Sequence, residues 1–180
     1  MSDVVKRTFV VWVEDQPGVL NRVASLFRRR AYNIESLTVG QTHEPGVSRM
    51  TVVCKADEDT AKRIEANLYK LVNVLEVDDI THKASLVRDL VLIKVRANRE
   101  TREEVVRLCE TFRARVVDVA PETLVVEMAG APAKIKGLVA VLDGYGIEEM
   151  VQSGAIAMTR GTEPSLDRRN TGRGPAPAAG

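Results

Sequence analysis

The sequence predicts an α+β protein of two tandem βαββαβ modules, each an antiparallel sheet with both helices on one face, the ferredoxin-like arrangement. Three observations lead to this prediction. Strand-like apolar runs alternate with one-faced helical patterns, the order of these segments occurs twice, and the two copies keep the same spacing. We expect the first module at residues 1–84, the second at 85–161 and a disordered tail at 162–180, where Gly, Pro, Ala, Arg and Asn dominate.

In the first half, residues 8–14 are apolar and β-branched, which predicts a buried strand that ends at the turn signal Asp15-Gln16-Pro17-Gly18. A one-faced helix follows, and three arginines at 28–30 complement the negative end of its dipole. Residues 33–40 and 48–55 predict two strands, residues 72–80 a closing strand, and a second helix lies before it. The predicted helix faces carry Val19, Leu20, Val23, Leu26 and Phe27, and then Ile64, Leu68 and Leu71.

The second half repeats this order, with strands predicted at residues 90–95, 115–119, 123–128 and 147–158. Its two helices are marked by Val105, Leu108 and Phe112, and by Ile135, Leu138, Val139 and Leu142. A βαββαβ unit leaves one face of its sheet without helices. We therefore expect exposed apolar sheet that favours pairing with a second copy of the chain.

Composition narrows the possible partners and the compartment. The net charge of +1 argues against binding along a phosphate backbone, and the isolated aromatics Trp12 and Tyr32 do not form the stacking platform of an RNA-binding module. Cys54 and Cys109 make no disulfide or metal pattern and suit the core of a protein in a reducing cytoplasm. The amino terminus turns acidic too early for a signal peptide, and no apolar run has the roughly 20 residues of a membrane span. We predict a cytoplasmic protein that binds neither nucleic acid nor membrane.

The residues that could carry chemistry are few. His43 and His82 belong to no metal-ligand spacing, and no nucleophile motif or phosphate-binding glycine loop stands in the right context. The sequence therefore predicts no catalytic residue and no metal site, and it argues against a stand-alone enzyme.

Two segments nevertheless suit a small polar ligand. At residues 14–20, Gly18 lets backbone approach a ligand, and the N–H groups of Gly18, Val19 and Leu20 are expected to point out of the helix start toward a carboxylate. Asp15 either caps this helix or accepts a hydrogen bond from an α-ammonium. Asn33, at a strand start, offers a donor and an acceptor. An ordinary strand-to-helix turn explains the first segment without any ligand, and a turn suits the second segment equally well.

Together the two segments resemble a known family. Residues 14–39, EDQPGVLNRVASLFRRRAYNIESLTV, are similar to the amino-terminal ACT domain of acetohydroxyacid synthase regulatory subunits. SRMTVV at 48–53 and LYKLVNVLEV at 68–77 fit the same pattern. RDLVLIKV at 88–95 and SGAIAMTRG at 153–161 resemble the family's carboxy-terminal domain, so the resemblance spans roughly residues 6–161.

The resemblance implies a feedback subunit in branched-chain amino acid (valine and isoleucine) biosynthesis. ACT domains pair as a homodimer in this family, and a branched-chain amino acid, chiefly valine, binds between the protomers. Residue by residue, Asp15, Gly18, Val19 and Leu20 of one chain would hold its carboxylate and ammonium, and Asn33 and Ile34 of the partner would complete the pocket.

The resemblance also implies a partner, the catalytic large subunit, which this chain would activate and make sensitive to valine. That subunit carries thiamine diphosphate, FAD and Mg²⁺, and none of these is expected on the present chain. The sequence departs from the family at Ala31, where glycine is frequent, at a helix-ending position that often has a positive φ. The alternative is a different amino-acid-sensing ACT regulator with another partner.

Overall fold

In the computed structural model, which describes residues 3–161, the chain forms two βαββαβ modules in succession, as predicted. The first consists of β1 (Val5–Glu14), α1 (Val19–Arg29), β2 (Ile34–Gln41), β3 (Val47–Ala56), α2 (Glu58–Leu68) and β4 (Val74–Asp79). The second consists of β5 (Ser85–Arg96), α3 (Arg102–Phe112), β6 (Arg115–Val119), β7 (Thr123–Gly130), α4 (Pro132–Leu142), β8 (Ile147–Gln152) and an additional β9 (Ile156–Thr159). The tail predicted at 162–180 lies outside the described residues.

The sheet of the first module has the order β2-β3-β1-β4, with every neighbouring pair antiparallel. Because side chains alternate along a strand, Phe9, Val11 and Val13 of β1 face the helices, whereas Val10 and Trp12 face the other way. The helix-facing set is buried against α1 and α2. The amphipathic pattern of α1 explains this packing, since Val19, Val23, Leu26 and Phe27 are its buried residues.

The second module repeats the arrangement with the sheet order β6-β7-β5-β8. Val91, Ile93 and Val95 of β5 face α3 and α4 and are fully buried. Cys109 belongs to this core as Cys54 does to the first, and both thiols are free. Burial raises the pKa of the Cys54 thiol to about 11 and also raises that of Cys109. The prediction that both cysteines are core residues is confirmed.

The prediction of one continuous closing strand at residues 147–158 is wrong, because two separate strands occupy this segment. The chain breaks after β8 at Gly154, whose φ of +78° belongs to the left-handed region, and resumes as β9. β9 does not extend β8. It pairs with the first half of β5, where Val87 lies opposite Ala157, while the second half of β5 pairs with β7 and β8. β5 is therefore longer than predicted, and its first half forms a two-stranded ribbon with β9.

This ribbon corrects a second expectation, that the helix-free face of each sheet is uncovered. In the first module, Val10, Trp12 and Ile80 form a buried cluster with Ala157, and Val87 packs against it. The chain thus covers that face with its own ribbon. In the second module, Leu90, Leu92 and Val151 remain exposed, as predicted.

Candidate ligand-binding site at the edge of the first sheet

Helix α1 begins at a glycine that leaves its amino end open. Gly18 is the N-cap, with φ +84° and ψ −5°, and a Cβ built there meets no atom within 4 Å. Glycine is therefore favoured at this position by backbone conformation and not by lack of space. No side chain caps the helix, and its first turn contains no acidic residue. The positive end of the α1 dipole is consequently available to a small anion.

Asp15 does not cap this helix, which corrects one of the two roles considered for it. Its carboxylate instead accepts a hydrogen bond of 3.1 Å from the side-chain amide of Gln41, the last residue of β2. The Val19 N–H donates to the Gln16 carbonyl oxygen over 3.3 Å and is therefore not free for a ligand. Of the three N–H groups predicted to face a ligand, those of Gly18 and Leu20 remain. The second role of Asp15, as acceptor from an ammonium group, fits its exposed carboxylate.

A polar chain behind the loop holds it against the start of β4. The side-chain amide of Asn73 donates to the Glu14 carboxylate over 2.7 Å, and the Arg22 guanidinium donates to the Asn73 amide oxygen. The Glu14 N–H also donates to the Asn73 carbonyl oxygen. Asn73 is buried. Asn73 was not among the predicted site residues, although a polar side chain inside a predicted strand was a signal for it.

Asn33 and Ile34 lie at the far end of the same sheet. Ile34 is opposite Cys54 in β3, and Gln41 at the other end of β2 is opposite Ser48. Gln41 is eight residue steps beyond Asn33 along the strand, or about 25 Å at the usual rise per residue. Asn33 therefore cannot share a ligand with Asp15 and Gly18 of the same chain. A ligand that touches both sets must lie between two copies.

The edge that carries these residues is free of neighbouring strands within the described chain. β2 is the outer strand of its sheet, with β3 on one side only. Val39 on β2 and Leu20 on α1 are 42% and 45% exposed, and Asn33 is exposed as well. An edge strand with unpaired backbone groups and apolar neighbours is suited to pairing with another strand.

The corresponding loop of the second module is closed by its own side chains. The Asn98 side chain accepts hydrogen bonds of 3.0 Å from the N–H groups of Glu100 and Thr101. The Arg102 guanidinium donates to the carbonyl oxygens of Ala120 and Pro121 at 2.6 and 2.7 Å. The Asn98 side chain therefore satisfies N–H groups at this helix start that a carboxylate would otherwise bind.

An open groove of about 590 Å³ lies beside this second loop and is lined mainly by polar and charged residues. Arg96 and Glu148 in its wall form an ion pair of 3.2 Å. None of the residues that line the groove belongs to the first sheet, and we do not assign the ligand site to it.

Within residues 3–161, no group of three or more His, Cys, Asp or Glu side chains is placed to hold a metal ion. Over the same span, none of the helices has the length and apolar character needed to cross a bilayer.

The fold and this edge define the class of the protein, tandem ferredoxin-like modules of which the first is of ACT type. A family model described as "AHAS small subunit-like ACT domain" matches residues 9–76. A second, described as "Small subunit of acetolactate synthase", matches residues 88–161. Each model covers one module.

Individual relatives agree with the two family models. The chain is 49% identical over 161 residues to the acetolactate synthase small subunit of Mycobacterium leprae, covering 89% of this chain and 95% of that protein. It is 43% identical to the probable acetolactate synthase small subunit of Archaeoglobus fulgidus, over 88% and 99% of the two chains. The crystal structure of the Thermotoga maritima small subunit matches with a TM-score of 0.82 and 35% identity, over 88% and 99% of the chains. The chain therefore belongs to the acetolactate synthase small-subunit family.

Proposed function

We propose that this chain is a regulatory subunit that binds valine between the first modules of two copies, activates the catalytic large subunit of acetolactate synthase and confers feedback inhibition on it. Membership of the small-subunit family implies the catalytic partner. The observation that supports the ligand site is structural. Asn33 precedes the start of the edge strand β2, and Asp15 is hydrogen-bonded to Gln41 at its other end.

A two-fold axis beside the middle of β2, on its free edge, would bring these ends together. Identical edge strands that pair across such an axis are antiparallel, so the start of one lies beside the end of the other. The partner's Asn33 would then lie next to Gln41 and, through the Gln41 hydrogen bond, close to Asp15. The pairing creates two equivalent pockets in each dimer, one at each end of the joined strands.

The groups at each pocket match a free amino acid with a branched apolar side chain. The open start of α1 at Gly18 suits the carboxylate, and the exposed Asp15 carboxylate suits the ammonium. The half-exposed Ile34 of the partner and Leu20 offer apolar contact. The side-chain amide of Asn33 has both a donor and an acceptor for a zwitterion.

Regulation follows from thermodynamic linkage. Valine held between two protomers stabilises the dimer geometry that forms the pocket best, and it shifts the bound enzyme only by its difference in affinity for the two states. A coupling free energy of about 1–3 kcal/mol changes the affinity of a partner or the population of an active state by roughly 5–150-fold. That range is enough for feedback control.

We further propose that the chain itself binds no cofactor. Thiamine diphosphate, FAD and Mg²⁺ would belong to the large subunit, and this chain would have no catalytic residue of its own. The free, buried thiols of Cys54 and Cys109 support a location in the reducing cytoplasm.

Calorimetric titration of the purified chain tests the ligand assignment. We expect valine to bind with one equivalent per chain, because the loop of the second module is closed by Asn98 and Arg102. Leucine and isoleucine, titrated in parallel, measure how far the pocket selects the shorter side chain. No heat of binding for any of the three would exclude the proposal, and two equivalents per chain would place a second site in the second module.

A further inference from the structure

Two hydroxyl groups of β2 hold a single residue of the second half of the chain. The Ser36 Oγ accepts a hydrogen bond of 2.9 Å from the Ala155 N–H, and the Thr38 Oγ1 donates one of 2.6 Å to the Ala155 carbonyl oxygen. Ser36 and Thr38 lie on the face of β2 opposite the helices, since their neighbour Leu37 packs against the helix-side core. Ala155 lies between β8 and β9 and is 5% exposed.

The residue before Ala155 is adapted to this contact. Gly154 has a φ of +78°, and a Cβ built on it would lie 2.7 Å from the Ser36 Oγ. Both the backbone conformation and the close approach to β2 therefore require glycine. A third contact follows in β9, where the Arg49 guanidinium donates to the Ala157 carbonyl oxygen. Arg49 is itself fixed over the Trp12 ring, with its guanidinium carbon 5.2 Å from the ring centroid.

The strand that makes these contacts is also the strand that carries the proposed pocket. Asn33 and Ile34 stand at the start of β2, and Gln41, bound to Asp15, stands at its end. On the other side of the contact, Ala155 leads into β9, which pairs with the first half of β5. β5 is also an inner strand of the second sheet, between β7 and β8. A displacement of β2 along the edge would therefore be passed through Ala155 and β9 to β5, which runs through the second module.

We propose that Ser36 and Thr38 are the positioning residues that couple the valine pocket to the second module, through Ala155. This inference rests on the proposed function, since it concerns regulation from the same site. Valine and the partner's β2 set the position of the strand, the two hydroxyls carry that position to Ala155, and β9 and β5 carry it into the second sheet. Ser36 and Thr38 do not touch the ligand.

Thr38→Val tests the coupling, because it keeps the shape of the side chain and removes the hydrogen bond to Ala155. The full chain is assayed with its large subunit for acetolactate formation with and without valine, and alone for valine affinity. We expect valine affinity within twofold of the unchanged chain and full activation without valine. Maximal inhibition by valine should fall to less than half. Thr38→Ser restores the hydroxyl and should restore inhibition.

Two further variants separate coupling from stability. Thr111→Val removes one hydroxyl hydrogen bond of 3.0 Å, to the Arg107 carbonyl oxygen on α3, and should leave inhibition unchanged at a similar melting temperature. Gly154→Ala disturbs the same contact from the other side and should reproduce the Thr38→Val result.

Several outcomes would overturn the inference. Full inhibition in both Thr38→Val and Gly154→Ala would show that the signal takes another route. Loss of valine affinity in Thr38→Val would make Thr38 part of the pocket and not of the coupling. If the unchanged chain does not bind valine, the proposed function itself fails, and this result is visible before any variant is made.

Discussion

Gln41 donates a hydrogen bond from its side-chain amide to the carboxylate of Asp15 across 3.1 Å, and so joins the end of the edge strand β2 to the loop that precedes α1. The Asp15 N–H is bound in turn to the Gly46 carbonyl oxygen, at 2.8 Å, in the turn between β2 and β3. The loop and the strand end therefore form one unit. A ligand seated on the loop acts directly on β2, and this relationship underlies the predictions about the pocket.

Gly18→Asp is expected to abolish valine binding while the fold survives. Aspartate tolerates a left-handed φ better than most residues, and a Cβ at Gly18 meets nothing within 4 Å. Its carboxylate would lie where we propose that the ligand carboxylate binds, and like charges about 4 Å apart near a protein surface repel by roughly 4 kcal/mol. This exceeds the roughly 1.4 kcal/mol that lowers affinity tenfold.

Calorimetry measures the loss, and Gly161→Asp is the matched control. Gly161 has a φ of +89° and is equally uncrowded, but it lies at the end of the described chain and outside the proposed pocket. Valine affinity that is unaltered in Gly18→Asp would remove this loop from the site.

Asn33→His should also abolish valine sensitivity, through the other half of the pocket. The exposed Asn33 side chain makes no contribution to either core, so the substitution should leave the melting temperature nearly unchanged. It replaces a compact amide with a larger ring where two chains and the ligand would meet. Wild-type valine affinity in this variant would mean that Asn33 of the partner does not complete the pocket.

Ala31→Gly is expected to stabilise the chain by roughly 0.5–1 kcal/mol. Ala31 has a φ of 55°, as its place after α1 led us to expect, and this conformation crowds its Cβ. Glycine relieves the backbone strain at this position but loses more conformational entropy on folding than alanine. The free energy of unfolding therefore rises by only part of the strain energy. Chemical denaturation measures the difference. Ala24→Gly inside α1 is the matched control and should destabilise, by about 1 kcal/mol. Destabilisation in both variants would contradict the strain at Ala31.

The buried Arg7 gives a prediction for pH dependence. Its guanidinium donates to the Glu58 carboxylate over 2.6 Å and also pairs with Asp79 at 3.3 Å. The hydrogen bond from Arg7 lowers the pKa of Glu58 below its ordinary value of 4.5. A lowered pKa in the folded state means that Glu58 adds stability above the unfolded pKa, and that this stability is lost as the pH falls through the folded pKa.

Glu58→Gln should therefore lower the melting temperature at pH 7, and the gap to the unchanged chain should shrink as the pH falls below about 4. Glu103→Gln removes an acidic residue from the first turn of α3 and serves as the control, with a smaller gap at pH 7. A gap in Glu58→Gln that is constant from pH 7 to acid would show that the ion pair with Arg7 adds no pH-dependent stability.

The order of the elements and most of the core were predictable because they depend on local periodicity. Every residue of the predicted α1 face is buried except Leu20, and the alternation in β1 separates the two faces of its sheet correctly. Asp15, Gly18 and Asn33 were identified by their resemblance to a family and by the chemistry of a helix start. That Asn33 lies at one end of the edge strand and the loop of Asp15 and Gly18 at the other could be seen only from the register of β2 and β3 in the structure.

The break at residues 153–155 was not predictable in the same way. It depends on Gly154 fitting against Ser36, a residue far away in sequence, and on the apolar face around Trp12 that β9 covers. The contacts of Arg102 with the β6–β7 turn are likewise long-range. Both features arise from packing between segments that are distant in sequence, and the hydrophobic pattern of one segment does not predict such packing.

The central claim, that the chain acts by regulating a separate catalytic subunit, is tested by acetolactate formation from pyruvate with the purified large subunit alone, the small subunit alone and the two together. We predict no turnover by the small subunit, higher activity of the mixture than of the large subunit, and inhibition of the mixture by valine that Gly18→Asp removes. Turnover by the small subunit alone, or a mixture whose activity neither rises nor responds to valine, would contradict the account.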